Sequence, residues 1–450
     1  MKTIYNDADK WNEQFHKASD GERYDLVIGT LKAPLAESFV EDLDLGAVLV
    51  EMLGAFESEK DFDKILNLAE VCSSFQPILY KKEHFYFDEF LINWHLFHQD
   101  TEKLTGPLDR FKENPVKGIE NMIRALKSLL FYGYTDIVVS LAEKTSGPVE
   151  ESPELVSGAG YELDAVRYNK YLEQYYKQYL DTHEFNCKQF AQEINDISFE
   201  FSSHTMDLIE KSIIGGQDQE VVEVLRQDFS ENRHGCTVYV GGCFQKYMYH
   251  KNRMSFTCSG ILWHGMVDYW NERAESKTAD FIAYFSLDSD SFDKYLVGVM
   301  GGFIPLNTAD AVAILWGAYY VYDFLMSAGI IKEHAHAEFI RSIYLLKARM
   351  VRVVTNDLWK FNFVHRWGLP EGVTEEACCA EEEIFVKSLH SKSKNFKEFF
   401  PTIKDALDKI PELSLPLSQQ SAPAQKQPKV GRNMPCPCGS GRKSKHCCDS

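Results

Sequence analysis

No uncharged apolar run in this chain reaches the roughly 18 residues that a membrane span needs. The longest, Tyr295 to Leu306 and Ala311 to Tyr322, stop at 12 residues each. The first residues, Met1 to Lys10, lack the apolar stretch of a secretory leader. Cysteine is sparse and irregular up to residue 425: Cys72, Cys187, Cys236, Cys243, Cys258, Cys378 and Cys379 are odd in number. That argues against a disulfide framework and for a reducing compartment. Short catalytic signatures are missing as well. There is no G-x-x-x-x-G-K-[ST], no G-x-G-x-x-G after a strand, no H-E-x-x-H and no G-x-S-x-G. The expectation is a cytoplasmic protein without a membrane span, in which no catalytic residue can be named from a local motif.

What is present divides by charge. Residues 426–450 carry six bases, including Arg432, Arg442, Lys443 and Lys445, and one acid, a net of +5. The rest of the chain keeps 42 bases and 66 acids, a net of −24. So acidic a body is poorly suited to nucleic acid, and only the tail has a favourable charge for an anionic surface.

The body reads as mostly α. Phe87, Phe90, Leu91 and Trp94, and again Ile119, Met122, Ile123 and Leu126, fall at i, i+3, i+4, i+7, which builds one apolar stripe for burial. Three stretches share a layout of helix, polar turn, helix and proline, with Pro77, Pro115 and Pro148 standing 38 and 33 residues apart. That is close to the roughly 34-residue period of tetratricopeptide-type hairpins. Gly133 marks the turn of the third. Residues 1–160 are therefore read as a hairpin-repeat region, with an irregular helical bundle as the alternative, and residues 161–410 as a second helical region. Within the latter, Leu163 to Leu180 is a tyrosine-rich helix and Ala309 to Met326 is apolar nearly all round, a central buried helix. Thr374 with Glu375 and Glu376 signals a helix start. Around 236–250, Cys236-Thr-Val-Tyr-Val followed by Gly241-Gly242 reads as a short β-hairpin. His234, Cys236, Cys243, His250 and Cys258 lie close enough in sequence to raise a second metal site, though their spacing is irregular. His264 and Asp268, at i and i+4, read as a structural hydrogen bond, and His334 and His336 as exposed. From Pro411 the composition turns to proline, glutamine and serine, so residues 411–428 read as a flexible linker.

Four cysteines close the chain in two tight pairs, Cys436/Cys438 and Cys447/Cys448, spaced C-x-C-x8-C-C. So short a segment cannot bury a core that offsets its ordering entropy, about 1–2 kcal/mol per residue for the backbone alone. Bound zinc can: structural sites supply about 10–16 kcal/mol at neutral pH. Thiolates suit that metal, and two close pairs can meet in a tetrahedron. Gly431, Arg432, Asn433, Pro435, Pro437, Gly439, Ser440, Gly441 and Lys443 frame the cysteines. On these residues 429–450 resemble the SEC-C motif, the small zinc-binding tail of the SecA translocase ATPase. Met434 stands where that family usually has Asp, and Ser444 where it usually has an aromatic. The resemblance implies one structural Zn2+ on Cys436, Cys438, Cys447 and Cys448. His446 beside the second pair is read as exposed. In SecA-like proteins this tail contacts an export chaperone and the ribosome, which implies a chaperone- or ribosome-like protein partner for this tail.

These readings converge on a non-enzymatic adaptor: a helical scaffold with a zinc module that recruits a partner in protein export or quality control. Arg432, Arg442, Lys443 and Lys445 are the candidate partner contacts. Two alternatives stay open. One is an enzyme whose active site is assembled from distant residues in region 234–370; the other is nucleic-acid binding through the basic tail.

Overall fold

The computed structural model describes residues 7–390 except 198, 216–217, 274–276 and 302–306, and of residues 218–219 only the backbone. Contacts divide the chain into two units, residues 1–410 and 411–450, and the described residues lie in the first. Among them every regular element is helical. The order is α1 (Ala8–Lys17), α2 (Asp20–Leu31), α3 (Glu37–Asp42), α4 (Leu45–Glu59), α5 (Phe62–Phe75), α6 (Pro77–Phe97), α7 (Thr105–Glu113), α8 (Ile119–Phe131), α9 (Thr135–Glu150), α10 (Tyr161–Thr182), α11 (Cys187–Asn195), α12 (Ser203–Ile214), α13 (Asp218–Asp228), α14 (Arg233–Asn252), α15 (Phe256–Glu272), α16 (Phe281–Tyr284), α17 (Ser289–Met300), α18 (Thr308–Ser327), α19 (Glu333–Val353) and α20 (Glu375–Ser388), with a 3-10 segment Leu358–Arg366 before the last.

Helix ends follow the side chains that can hold them. Thr374 caps α20 by accepting from the Ala377 amide at 3.2 Å, and Ser255 caps α15 through the Cys258 amide at 3.2 Å. Gly133, at φ +89°, makes the turn from α8 to α9. The apolar stripes face inward as their spacing requires: Phe87, Phe90, Met122 and Leu126 are all buried. The three expected helix–turn–helix stretches are α4–α5, α6–α7 and α8–α9, and in each the two helices pack on one another. Pro148 does not follow the third as expected but lies inside α9. It stands in the last turn, so the lost amide bond and any kink from its ring fall at the helix end, next to the buried Val149.

The expected hairpin at 236–250 is instead part of α14. Its β-branched residues and paired glycines are there for packing. A Cβ on Gly241 would stand 2.6 Å from the Trp263 indole nitrogen, and one on Gly242 would stand 2.3 Å from the Ser212 hydroxyl. The glycines let α14 approach α15 and α12 closely, and that contact overrides local β propensity.

Helix α18 is the axis of this unit. All its residues from Asp310 to Leu325 are buried, and α8, α14, α15, α17, α19 and the 3-10 segment pack around it. Its crossing with α15 is a reciprocal fit. Ile314 enters the notch at Gly265, where a Cβ would meet it at 2.6 Å, and Leu262 enters the notch at Gly317, at 2.9 Å. The 3-10 segment then ties the far end of the unit to its start. Trp359 meets Phe62, Trp94 and Phe97 edge to face with centroids 5.4–6.1 Å away, and just after the segment the Trp367 indole donates to the Phe131 carbonyl at 2.9 Å. Beneath α18, the Glu381 carboxylate accepts from the Trp316 indole at 3.1 Å and pairs with Lys347 at 3.0 Å and His365 at 3.1 Å. Burial opposes its charge, but Lys347 and His365 outweigh that and hold the carboxyl down to about 2.

The α15–α18 crossing is directly testable. Gly265→Ala should lower stability by about 1–3 kcal/mol through overpacking. Adding Ile314→Ala should recover part of that loss, so the double variant in a denaturant titration is more stable than the two single losses summed. Strict additivity would show that the notch is not a tight contact.

Candidate functional site

The candidate metal ligands Cys436, Cys438, Cys447 and Cys448, the candidate partner contacts Arg432, Arg442, Lys443 and Lys445, and the linker 411–428 all lie outside the described residues. The chemistry of the donor set is nevertheless plain from the sequence: four thiols in two pairs, enough to close a structural zinc site with no open position for a substrate.

The second metal site does not assemble. Among the described residues no group of three or more His, Cys, Asp or Glu could hold an ion. Burial pushes the Cys236 and Cys258 thiols up to about 12, which keeps them protonated and poor ligands. His250 instead meets the Tyr176 hydroxyl at 2.5 Å. His334 is exposed as expected. His336 is not: its ring bonds the buried Asp323 carboxylate at 2.7 Å, an acid on α18 that the local sequence does not reveal.

Of the several clefts among the described residues, one brings buried charges and aromatic rings together. Helices α8, α10, α14, α15, α17 and α18 enclose about 570 Å³. Its floor is an ion-pair triad. Lys127 of α8, only 6% exposed, reaches Asp310 of α18 at 2.7 Å and Glu162 of α10 at 2.8 Å. Burial works against the Lys127 charge, but the two carboxylates outweigh it and keep the ammonium protonated. Its walls are aromatic. Tyr168 stacks on Phe199 at 5.0 Å and contacts Phe201 at 5.8 Å, and Tyr161 lies 6.1 Å from both Phe199 and His264. The tyrosine-rich helix α10 is thus divided in use. Tyr175 and Tyr176 are packed into a core with Phe190, Ile194 and Phe256, while Tyr161 and Tyr168 line the cleft. His264 and Asp268 stand at the rim, 3.6 Å apart and each about half exposed. Burial pushes the Asp268 carboxyl up, with Glu162 adding to that and His264 opposing it.

Sequence reasoning passed over the triad. Its signal was there in weak form: Asp310 opens an otherwise apolar helix, and Lys127 interrupts the buried run Ala125 to Phe131. A charge in such a place needs a partner. Nothing in the sequence pairs the two, 183 positions apart. Lys127→Met should therefore cost about 3–5 kcal/mol by leaving Asp310 buried without its counter-charge. The double variant Lys127→Met, Asp310→Leu should regain most of it in thermal melts. If the single variant melts like the parent chain, the triad does not support the fold.

A family model described as the SEC-C motif matches residues 432–448. Among similar proteins is a protein translocase subunit SecA of Cupriavidus taiwanensis, 28% identical over 177 residues, which is 39% of this chain and 18% of that subunit. The SecA subunit of Dichelobacter nodosus is 49% identical over 51 residues, 10% of this chain and 6% of the relative. That of Treponema pallidum is 64% identical over 31 residues, 7% and 3% respectively. The chain thus spans less than a fifth of each of these relatives. No solved structure matches it. Residues 432–448 of this chain are a SEC-C motif of the SecA type.

Proposed function

We propose that this chain is a zinc-binding, non-enzymatic adaptor in which residues 1–410 form the scaffold and residues 429–450 recruit a protein partner. One observation carries the reading: the four tail cysteines stand in the spacing of a matched SEC-C motif. The motif family is zinc-binding, and Cys436, Cys438, Cys447 and Cys448 would hold the ion. The zinc would supply the folding energy that so short a segment cannot gain from apolar burial. No helix among the described residues is long and apolar enough to cross a membrane; the odd number and irregular spacing of the cysteines up to residue 425 support a reducing compartment, the cytoplasm. The relatives are named as protein translocase subunits, and this supports protein export as the setting. The partner would present an acidic face to Arg432, Arg442, Lys443 and Lys445, because the tail stays basic, at about +3 once four thiolates close on one zinc, against the acidic remainder of the chain. A chaperone- or ribosome-like surface has that character.

Metal analysis of the purified chain should find about one zinc per molecule, matching one closed four-thiolate site. A Cys436→Ser, Cys438→Ser double variant should fall close to zero. Undiminished zinc in that variant would move the metal elsewhere.

Replacing Arg442, Lys443 and Lys445 by Gln should leave zinc content intact and weaken partner capture by about tenfold or more, at roughly 0.5–1 kcal/mol per exposed charge contact. Capture by the parent chain should also decline between low and physiological salt, as exposed charges become screened over about 8–10 Å. Equal recovery of the same partners by the triple variant would assign recruitment to the helical scaffold instead.

A further inference from the structure

We infer that the cleft over the Lys127 triad binds an organic cation, a protonated amine or guanidinium carried on a flat or apolar body. Three features of the cleft select this class. The first is charge. Three carboxylates, Glu162, Asp268 and Asp310, line the space against one ammonium, Lys127. That ammonium is already taken by Glu162 and Asp310, so an entering anion would meet no free ammonium or guanidinium, whereas a cation would meet the half-exposed Asp268 at the rim, which has only His264 at 3.6 Å beside it. The remaining Asp310 oxygen, Oδ1, is buried beneath the floor and accepts no hydrogen bond, a shortfall that a donor entering from the cleft would relieve if it displaced the floor locally.

The second feature is the aromatic wall. Tyr161, Tyr168, Phe199, Phe201 and Trp263 all line the same space. Ring faces attract cations, more strongly where water is excluded. An aromatic wall with carboxylates at its edges is how proteins hold ammonium and guanidinium groups. The third feature is what is missing for a bare ion. Among the described residues no cluster of three metal-ligating side chains exists, so the acids here are too dispersed to strip and chelate a metal. The volume, about 570 Å³, falls within the roughly 300–1,000 Å³ of small-molecule sites. The neighbouring cavity of about 370 Å³ shares Lys127 and Asp310 but adds Arg124 and Lys360 to its acids. It has no such bias of sign.

The cation could arrive free or as the side chain of a peptide, and the probes separate these sources. The full chain is titrated by calorimetry with benzamidine, with spermidine and with an acetylated Gly-Arg-Gly peptide. Benzamide serves as the neutral isostere of benzamidine. Benzamidine should bind at least about tenfold more tightly than benzamide, a difference of about 1.4 kcal/mol. Asp268→Asn, at a half-exposed position, should remove about tenfold of that affinity and leave the melting temperature unchanged. Tyr168→Leu should weaken benzamidine and spare the charge at the rim. Binding of spermidine without the peptide identifies a free amine as the ligand class, and binding of the peptide identifies a basic side chain. The inference is overturned if benzamide binds as well as benzamidine, if all three cations fail to bind at millimolar concentration, or if both variants bind benzamidine as the parent chain does.

Discussion

Helix α18 leaves no face to water, and the arrangement of the first unit follows from that. A helix apolar on every side cannot sit on a surface. It must be enclosed, and five helices and the 3-10 segment enclose it. Close enclosure needs small residues at the crossings, which Gly265 and Gly317 provide by receiving Ile314 and Leu262. The two charges that α18 does bury, Asp310 and Asp323, each draw a basic group from another helix, Lys127 and His336. Those pairings tie α8 and α19 to the axis, because a buried carboxylate left without a partner would cost several kcal/mol.

The same enclosure shapes the cleft. Asp310, held at the start of α18, brings Lys127 and through it Glu162 to a common point, and α10 then presents Tyr161 and Tyr168 along the wall. The cleft and the cysteine tail are chemically unlike. One is an acidic, aromatic hollow in an acidic body; the other is a basic, thiol-rich segment. The ligand proposed for the cleft and the partner proposed for the tail therefore call on opposite chemistries and can be tested separately.

Local patterns were enough for most helices and for the SEC-C motif of the tail. The i, i+3, i+4, i+7 stripes of α6 and α8, the Thr374 cap of α20 and the uniform apolarity of α18 are short-range features, and short-range hydrogen bonding and burial decide them. The paired cysteines are equally local, since a metal with four thiolates needs only near neighbours and a turn. The stretch 236–250 was legible only in part. Its Val-Tyr-Val run and Gly241-Gly242 satisfy a hairpin and a tight helix crossing alike, and only the presence of Trp263 and Ser212 opposite the glycines chooses the helix.

The sequence by itself determined a helical body, an acidic charge set against a basic tail, and a thiol quartet in SEC-C spacing. Tertiary structure alone decided that Lys127 meets Asp310 across 183 positions, that His336 finds Asp323, and that half of the tyrosine-rich helix faces a cavity while the rest is packed. The physical reason is the range of the forces involved. Helix propensity, capping and the spacing of a short motif are set between residues a few positions apart, so a linear reading captures them. The pairing of buried charges and the opening of a cleft depend on which helices the packing of α18 brings together, and no local pattern encodes that choice.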